Sequence, residues 1–273
     1  MELKVIKSLK EFKRDRVMFV GLDFCSTYND FFESKCTSCA VLQDMSAYWT
    51  PSLMFSHANG TVEKVPQGGG MLIYYFLFGE DIRAFPEGFQ MIAGNSNRRN
   101  YTIQFLVPSS SLWSLEDKTP QALAEKALGF NCLNYHDTAE PALDRYFLPN
   151  KSFIDTQCTD GLRLELMFPS CWDGILLDTL DHKLHVAYPD LVMEGETSRF
   201  KLTNGHFLLS NGDSTGYGYY GDFLNGWNTD ILQQAIKTCT SLSGRVEDCS
   251  IFNLQSSISA KEYLDKKHKH KYS

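Results

Sequence analysis

At 273 residues, with 43% hydrophobic and 13% aromatic side chains, the chain supplies a full core at a length where all-β sandwiches are commonly single units. Its 26 Lys and Arg against 33 Asp and Glu leave a net charge of −7, with no basic surplus to neutralise a phosphate backbone, which excludes general nucleic-acid binding. No segment is long and apolar enough to span a membrane.

The chain begins MELKVIKSLKEFKRDRVMFVGL, with charges spread throughout and no apolar stretch of signal-peptide length. Lys4, Lys7, Lys10, Lys13, Arg14 and Arg16, like KKHKHK at 266–271, read as solvated termini. SLMFSH and TVEKV flank Asn59-Gly60 and predict a hairpin. MLIYYFLF from residue 71 is a β-rich run. TPQALAEKALG at 119–129 predicts a short helix, with Thr119 as cap, Pro120 in the first turn and Gly129 as stop. LRLELMF at 162–168 alternates, so Leu162, Leu164, Leu166 and Phe168 face the core while Arg163, Glu165 and Met167 share an outer or concave polar face. FKLT and HFLLS flank Asn204-Gly205, a second predicted hairpin, and NTDILQQAIKTC at 228–239 predicts another short helix. The fold class expected is mainly β, a jelly-roll-like β-sandwich with short helical insertions. Residues 1–35 form a divergent N-terminal segment, 36–258 a single β-rich domain and 259–273 a basic C-terminal tail.

Eight cysteines (Cys25, Cys36, Cys39, Cys132, Cys158, Cys171, Cys239, Cys249) and three N-x-S/T sequons at Asn59, Asn100 and Asn150 suit a glycosylated protein of an oxidising compartment. Cys36 and Cys39 have no second C-x-x-C pair to complete a zinc ribbon. A disulfide from Cys158 to Cys171 would tie the alternating strand's exit to its entry, although spacing leaves the connectivity open.

The densest chemistry lies in FPSCWDGILLDTLDHKLHVAYP at 168–189. Asp178, Asp181, His182 and His185 form a polar cluster suited to holding a cation or shuttling protons. If HVAYP is a strand, His182 and His185 lie on opposite faces and cannot both be ligands; His182 is expected in a loop and His185 at the strand's start. Two histidines also fall short of a zinc site, so no metal is assigned and the cofactor is left unknown. Asp173-Gly174 reads as a turn or, alternatively, places Asp173 as a general acid. Trp172 is either core or a sugar-stacking platform. NGDSTGYGYYGDFLNGW at 211–227 adds Asp213, Tyr217, Asp222 and Trp227 on a glycine-rich loop.

A groove built from 172–188 and 213–227 is therefore expected to take a polysaccharide or oligosaccharide. Asp173, Asp181, His182 and Asp222 are the catalytic candidates; Arg163, Trp172, His185, Tyr188, Asp213, Tyr217 and Trp227 are the substrate-binding ones. Two opposed carboxylates would serve glycoside hydrolysis. Arg163 neutralising a uronic carboxylate while Tyr217 or His182 moves the proton would serve a lyase. The alternatives are a non-catalytic carbohydrate-binding protein, or a wall or effector protein that has lost its site. No G-x-S-x-G elbow or phosphate loop is present, no dinucleotide fingerprint follows a strand, and GGG at 68–70 precedes one. A cysteine nucleophile is not expected, since Cys171 neighbours no evident base.

YWTPSLMF (48–55), AFPEGFQMIAGN (84–95), FNCLNY (130–135), CTDGLRLELMFPSCWDG (158–174), DHKLHVAYPDLV (181–192), NGDSTGYGYYGDFLNGW (211–227) and SGRVEDCSIFNLQ (243–255) together resemble, from about residue 36 to 258, the fungal secreted family catalogued as domain of unknown function number 1996. The resemblance implies an extracellular or cell-wall location, frequent attachment to wall-binding modules in relatives, and no particular reaction. The monomeric state is expected. Three departures stand out: residues 1–35 lack the family's histidine-containing segment, the chain passes from HVAYPDLVMEG directly to ETSRFKL without a cysteine-proline segment and strand, and Tyr220 stands where a histidine is usual.

Overall fold

The computed structural model describes residues 2–7, 39–66, 71–77, 81–101, 113–188, 205–241 and 243–255. Its elements in chain order are β1 (Glu2–Lys7), β2 (Ala47–Trp49), β3 (Leu53–His57), β4 (Val62–Lys64), β5 (Met71–Phe76), β6 (Gln90–Gly94), α1 (Pro120–Lys126), β7 (Leu128–Leu133), α2 (Lys151–Gln157), β8 (Gly161–Leu166), β9 (Cys171–Trp172), β10 (Val186–Ala187), β11 (Gly205–Leu209), β12 (Tyr220–Leu224) and α3 (Thr229–Thr238). The described chain is mainly β with few, short helices, and its strands form small antiparallel sheets. Three-stranded sheets run in the orders β11-β3-β4 and β2-β12-β6, and β7-β8, β9-β10 and β1-β5 pair in twos.

The chain divides into two compact units. The first comprises Met1–Tyr48, Gly70–Gln90 and Phe223–Ser273. Its core gathers Val41, Ala84, Trp227, Val246 and Phe252 against Leu232 and Ala235, which lie three apart on one face of α3. Asn228 starts that helix by accepting a hydrogen bond from the Ile231 amide at 3.1 Å, and the disulfide Cys239–Cys249 ties its end to the next turn. Asp44 is fully buried here and accepts from Cys39 Sγ and Tyr48 Oη, each at 3.2 Å.

The second unit comprises Trp49–Gly69 and Met91–Asp222. The Asn59-Gly60 hairpin forms as the sequence predicts, with Met54 opposite Lys64 and Ser56 opposite Val62, and Gly60 takes the left-handed conformation (φ 85°) its turn requires. Phe55 and Phe130 are fully buried at the centre of a cluster with Leu128, Leu162, Leu209 and Tyr219. Truncating either phenylalanine to alanine would cost about 3–5 kcal/mol.

Four expectations are corrected in this unit. The helix predicted to 129 starts as expected, with Thr119 Oγ1 accepting from the Ala122 amide at 3.3 Å, but ends at Lys126. Gly129 is a strand residue, because Leu128, Phe130 and Cys132 enter the core on a ladder paired to β8. Gly205 is likewise the first residue of β11, opposite His57. A Cβ there would lie 2.3 Å from Ser56 O and 2.5 Å from the Phe55 ring, so close packing, and not a turn, requires glycine; the FKLT half of that predicted hairpin lies outside the described residues.

The polar face of β8 is buried too. Arg163 and Glu165 are only 7% and 8% exposed, and Arg163 Nε pairs with Glu165 Oε1 at 2.6 Å. The segment above them covers the face: Glu165 Oε2 accepts from the Leu143 amide at 2.6 Å. Finally, Cys158 bonds Cys132, and Cys171 is an exposed thiol. Cys158 caps the end of α2 4.5 Å in Cα separation from Cys132 on β7, a spacing within disulfide range. Cys25 and Cys36 lie outside the described residues. The sequence signals also did not single out α2, whose cap is Asn150, a sequon residue accepting from the Phe153 amide at 2.9 Å.

Candidate active site

The segment 172–188 is a chain of local hydrogen bonds hung on two short strands. Asp173 Oδ1 accepts from the amides of Ile175 and Leu176 at 2.8 and 3.0 Å, with Gly174 left-handed at φ 78°, so this carboxylate closes a turn. Trp172, on β9, donates its indole N–H to Leu176 O at 2.6 Å. Asp181 Oδ1 accepts from Thr179 Oγ1 at 2.8 Å and from the amides of Lys183 and Leu184 at 3.0 and 3.1 Å. Burial pushes the Asp181 carboxyl up, but these bonds to its ionised form outweigh burial and hold it below its ordinary value. His185, immediately before β10, is 1% exposed, and its Nδ1 pairs with Thr179 Oγ1 at 3.2 Å. These four residues shape the loop.

His182 differs from them. Its backbone is left-handed at φ 56°, an uncommon conformation for a residue with a Cβ, and its carbonyl accepts from the Ile92 amide of β6 at 2.8 Å. The ring is 40% exposed, and Nδ1–H donates to Asp178 Oδ1 at 2.6 Å. A carboxylate on Nδ1 selects the tautomer whose Nε2 lone pair is available as a base.

Next to it, Lys183 reaches back to donate to Gly94 O at 2.6 Å, at the end of β6. Burial pulls its ammonium below the ordinary lysine value; the Asp181 carboxylate opposes this, the Arg98 cation adds to it and the Asp222 carboxylate opposes it. Gly94 also permits the close approach of the Tyr219–Tyr220 backbone: a Cβ there would lie 2.3 Å from Tyr219 O and 2.8 Å from Tyr220 Cα.

Asp222 lies on β12, two residues from Tyr220. Its Oδ1 is buried without a hydrogen-bond partner. Burial pushes the carboxyl from 3.8 up to about 6, with the charges of His182 and Lys183 offsetting part of the rise. A carboxyl titrating near 6 beside an oriented imidazole and an ammonium is a proton-transfer arrangement.

The remaining sequence candidates sit elsewhere. Asp213 is fully buried and organises its glycine-rich loop, accepting from the Thr215 and Gly218 amides at 2.9 and 2.7 Å. Tyr217 stacks on Tyr101 at 5.7 Å, and Tyr101 on Tyr146 at the same spacing. Tyr188 donates its hydroxyl to Met167 O at 3.0 Å. Arg163 is held in its buried pair with Glu165. Trp227 belongs to the first unit, fully buried, with its indole N–H on Tyr75 Oη at 3.0 Å. The structure thus brings together His182 and Asp222 of the expected catalytic set, and adds Lys183, Arg98 and Gly94. Lys183 was legible as the neighbour of His182 in DHKLH; Arg98, in the turn NSNRRN, carries no motif at all. Among the described residues, no group of three or more His, Cys, Asp or Glu is placed to hold a metal ion, and no helix is long and apolar enough to cross a membrane.

The class defined by this architecture is a mainly β protein in which the ionisable side chains of His182, Lys183 and Asp222 gather beside the end of β6 and the middle of β12. The chain belongs to the family described as domain of unknown function DUF1996, whose model matches residues 19–199. The matched stretch starts inside the N-terminal segment that sequence reading set apart, and contains the whole 172–188 loop but not Asp222. No curated protein and no solved structure matches the chain.

Proposed function

We propose that this protein cleaves a cell-wall or biomass polysaccharide by general acid–base chemistry, with Asp222 as the acid and His182, oriented by Asp178, as the base. The observation that carries the reading is the Asp222 carboxyl, buried with an unpartnered oxygen and titrating at about 6 beside His182 and Lys183. At neutral pH a carboxyl with that value keeps a usable protonated fraction, becomes carboxylate when it gives up its proton, and takes a proton back from solvent before the next turnover. Asp222 gives its proton to the glycosidic oxygen as the bond to carbon breaks. His182 Nε2 takes a proton from the attacking water in a hydrolase, or from a ring carbon in a lyase.

The disulfides Cys132–Cys158 and Cys239–Cys249 suit an oxidising compartment, so the protein works outside the cell or in the wall, as a monomer. The test is incubation of the purified chain, and of Asp222→Asn and His182→Ala, with fungal glucans, chitin, pectins and glucuronans. Soluble oligosaccharides from the wild type and a loss of at least about 100-fold in both variants are expected. Retention on a glycan with no product in any variant would replace this reading with a carbohydrate-binding one.

A further inference from the structure

The turn that follows β6 places a second cation beside Lys183. Arg98 is fixed by its amide donating to Asn95 O at 3.1 Å, and that turn is closed by the Asn97 amide on Asn95 Oδ1 at 3.0 Å. Its side chain is 15% exposed, and Nη2 approaches Glu125 Oε1 at 3.9 Å, ion-pair range but beyond hydrogen-bond range. Nη1 is buried with no hydrogen-bond partner. A buried guanidinium nitrogen without an acceptor is costly, because the desolvation penalty is not recovered. Four residues before it, Gly94 O holds the Lys183 ammonium, and the Arg98 charge disfavours that ammonium.

The carboxylates that face these cations leave them incompletely matched. Glu125 does not reach hydrogen-bond distance of Arg98. Asp181 Oδ1 already accepts from Thr179 Oγ1 and two loop amides, Asp178 Oδ1 is taken by His182 and the Thr179 amide, and Asp222 keeps an unpartnered Oδ1. One cluster therefore holds an orphan donor on a cation and an orphan acceptor on a carboxyl, which do not satisfy each other. A sugar ring bearing a carboxylate next to hydroxyls supplies both complements. A neutral sugar supplies no charge to offset the two cations.

We infer that Arg98 and Lys183 form a carboxylate-binding subsite beside Asp222, so that the glycan taken by this protein is built from uronic acids. This rests on the glycan reading above and narrows it. Arginine suits the task because its planar fork matches a carboxylate in two-point contact.

The test uses the purified full chain and trimers of glucuronate, galacturonate and mannuronate, each compared with its methyl ester, which keeps the ring and hydroxyls and removes the charge. Binding is read by calorimetry at low and high salt, and cleavage by product analysis. At least one acid trimer should bind about 10-fold or more tighter than its ester, with the advantage shrinking in high salt. Arg98→Gln and Lys183→Gln should each bring acid binding down towards the ester's, while Arg98→Lys keeps part of it.

Equal affinity for acid and ester, or turnover of neutral glycans alone, overturns the subsite and leaves the glycan-cleaving reading standing. Charge-selective binding that Arg98→Gln weakens, without cleavage of any polymer, upholds the subsite and removes the catalytic reading. A folded wild type that neither binds nor cleaves any trimer overturns both. Should Arg98→Gln not fold, the acid-against-ester comparison on the wild type and on Arg98→Lys still decides.

Discussion

The carboxylate of Asp178 holds Nδ1 of His182 at 2.6 Å across four residues of chain, so one turn of a loop both orients the imidazole and sets its tautomer. On the proposed reading Asp178 acts through His182, as a positioning residue. Asp178→Ala should lower kcat about 100-fold with little change in KM, the loss expected when a reacting group is misplaced by about an ångström. The pH–rate profile should also lose definition on its basic-group limb. A parallel rise in KM with unchanged kcat would instead place Asp178 in substrate binding.

Asp222 should trade stability for function. Its carboxyl lies near 6 in the fold against 3.8 ordinarily, so the folded protein binds this proton more tightly than the unfolded chain does. Stability from this group is complete below about pH 4 and is lost as pH rises through about 6, on the order of 2 kcal/mol once partial exposure is allowed for. Asp222→Asn should therefore be more stable than the wild type at pH 8 and equal to it near pH 4, while product formation disappears. Urea melts at pH 4, 6 and 8 check the sign; a variant weaker than the wild type at pH 8 contradicts it.

Gly94→Ala should damage the site through the backbone. The residue is left-handed at φ 77°, and an added Cβ would sit 2.3 Å from Tyr219 O. The left-handed penalty and the overpacking together amount to roughly 2–4 kcal/mol. Thermal melting should fall accordingly, and any surviving folded protein should lose activity because Gly94 O no longer holds Lys183.

The disulfide assignment separates cleanly by mass mapping. Peptides linked through Cys132 and Cys158 and through Cys239 and Cys249 are expected, with Cys171 alkylated in the native protein. Cys132→Ala with Cys158→Ala should cost about 2–4 kcal/mol, whereas Cys171→Ser stays within about 0.5 kcal/mol. A linked peptide containing Cys171 would refute the pairing.

Lys126 is 1% exposed and donates to Asp117 Oδ1 at 2.8 Å and Asp117 O at 2.9 Å, over the Trp113 ring at 4.5 Å. The Lys126 hydrogen bond, with help from Ser114, lowers the Asp117 carboxyl to about 2. This depressed group contributes stability above about pH 4 that is lost as pH falls towards 2. Asp117→Asn should cost about 3 kcal/mol at pH 7, since it leaves a buried ammonium without its counter-charge. It should also flatten the acid limb of the stability profile, which denaturant melts between pH 2 and 7 would show.

What the sequence by itself determined is local. The helix start at Thr119, the start of a second helix at 228–229 and the Asn59-Gly60 turn were legible because a cap or a turn is settled by atoms within four residues. The apolar stripe of 162–168 was legible because strand side chains alternate. Membership of the family was legible from blocks in fixed order. The tertiary structure alone decided the rest, because each outcome sets distant segments against one another. Leu128–Leu133 became a strand by pairing with Gly161–Leu166, against its helical neighbours' preference. The face carrying Arg163 and Glu165 was buried by a segment about twenty residues upstream, so alternation revealed two faces without revealing which meets water. Cys158 met Cys132 because α2 returns the chain to β7. His182, Lys183, Arg98 and Asp222 come from three stretches up to 124 residues apart (222 − 98), and only the folded chain buries Asp222 enough to move its proton.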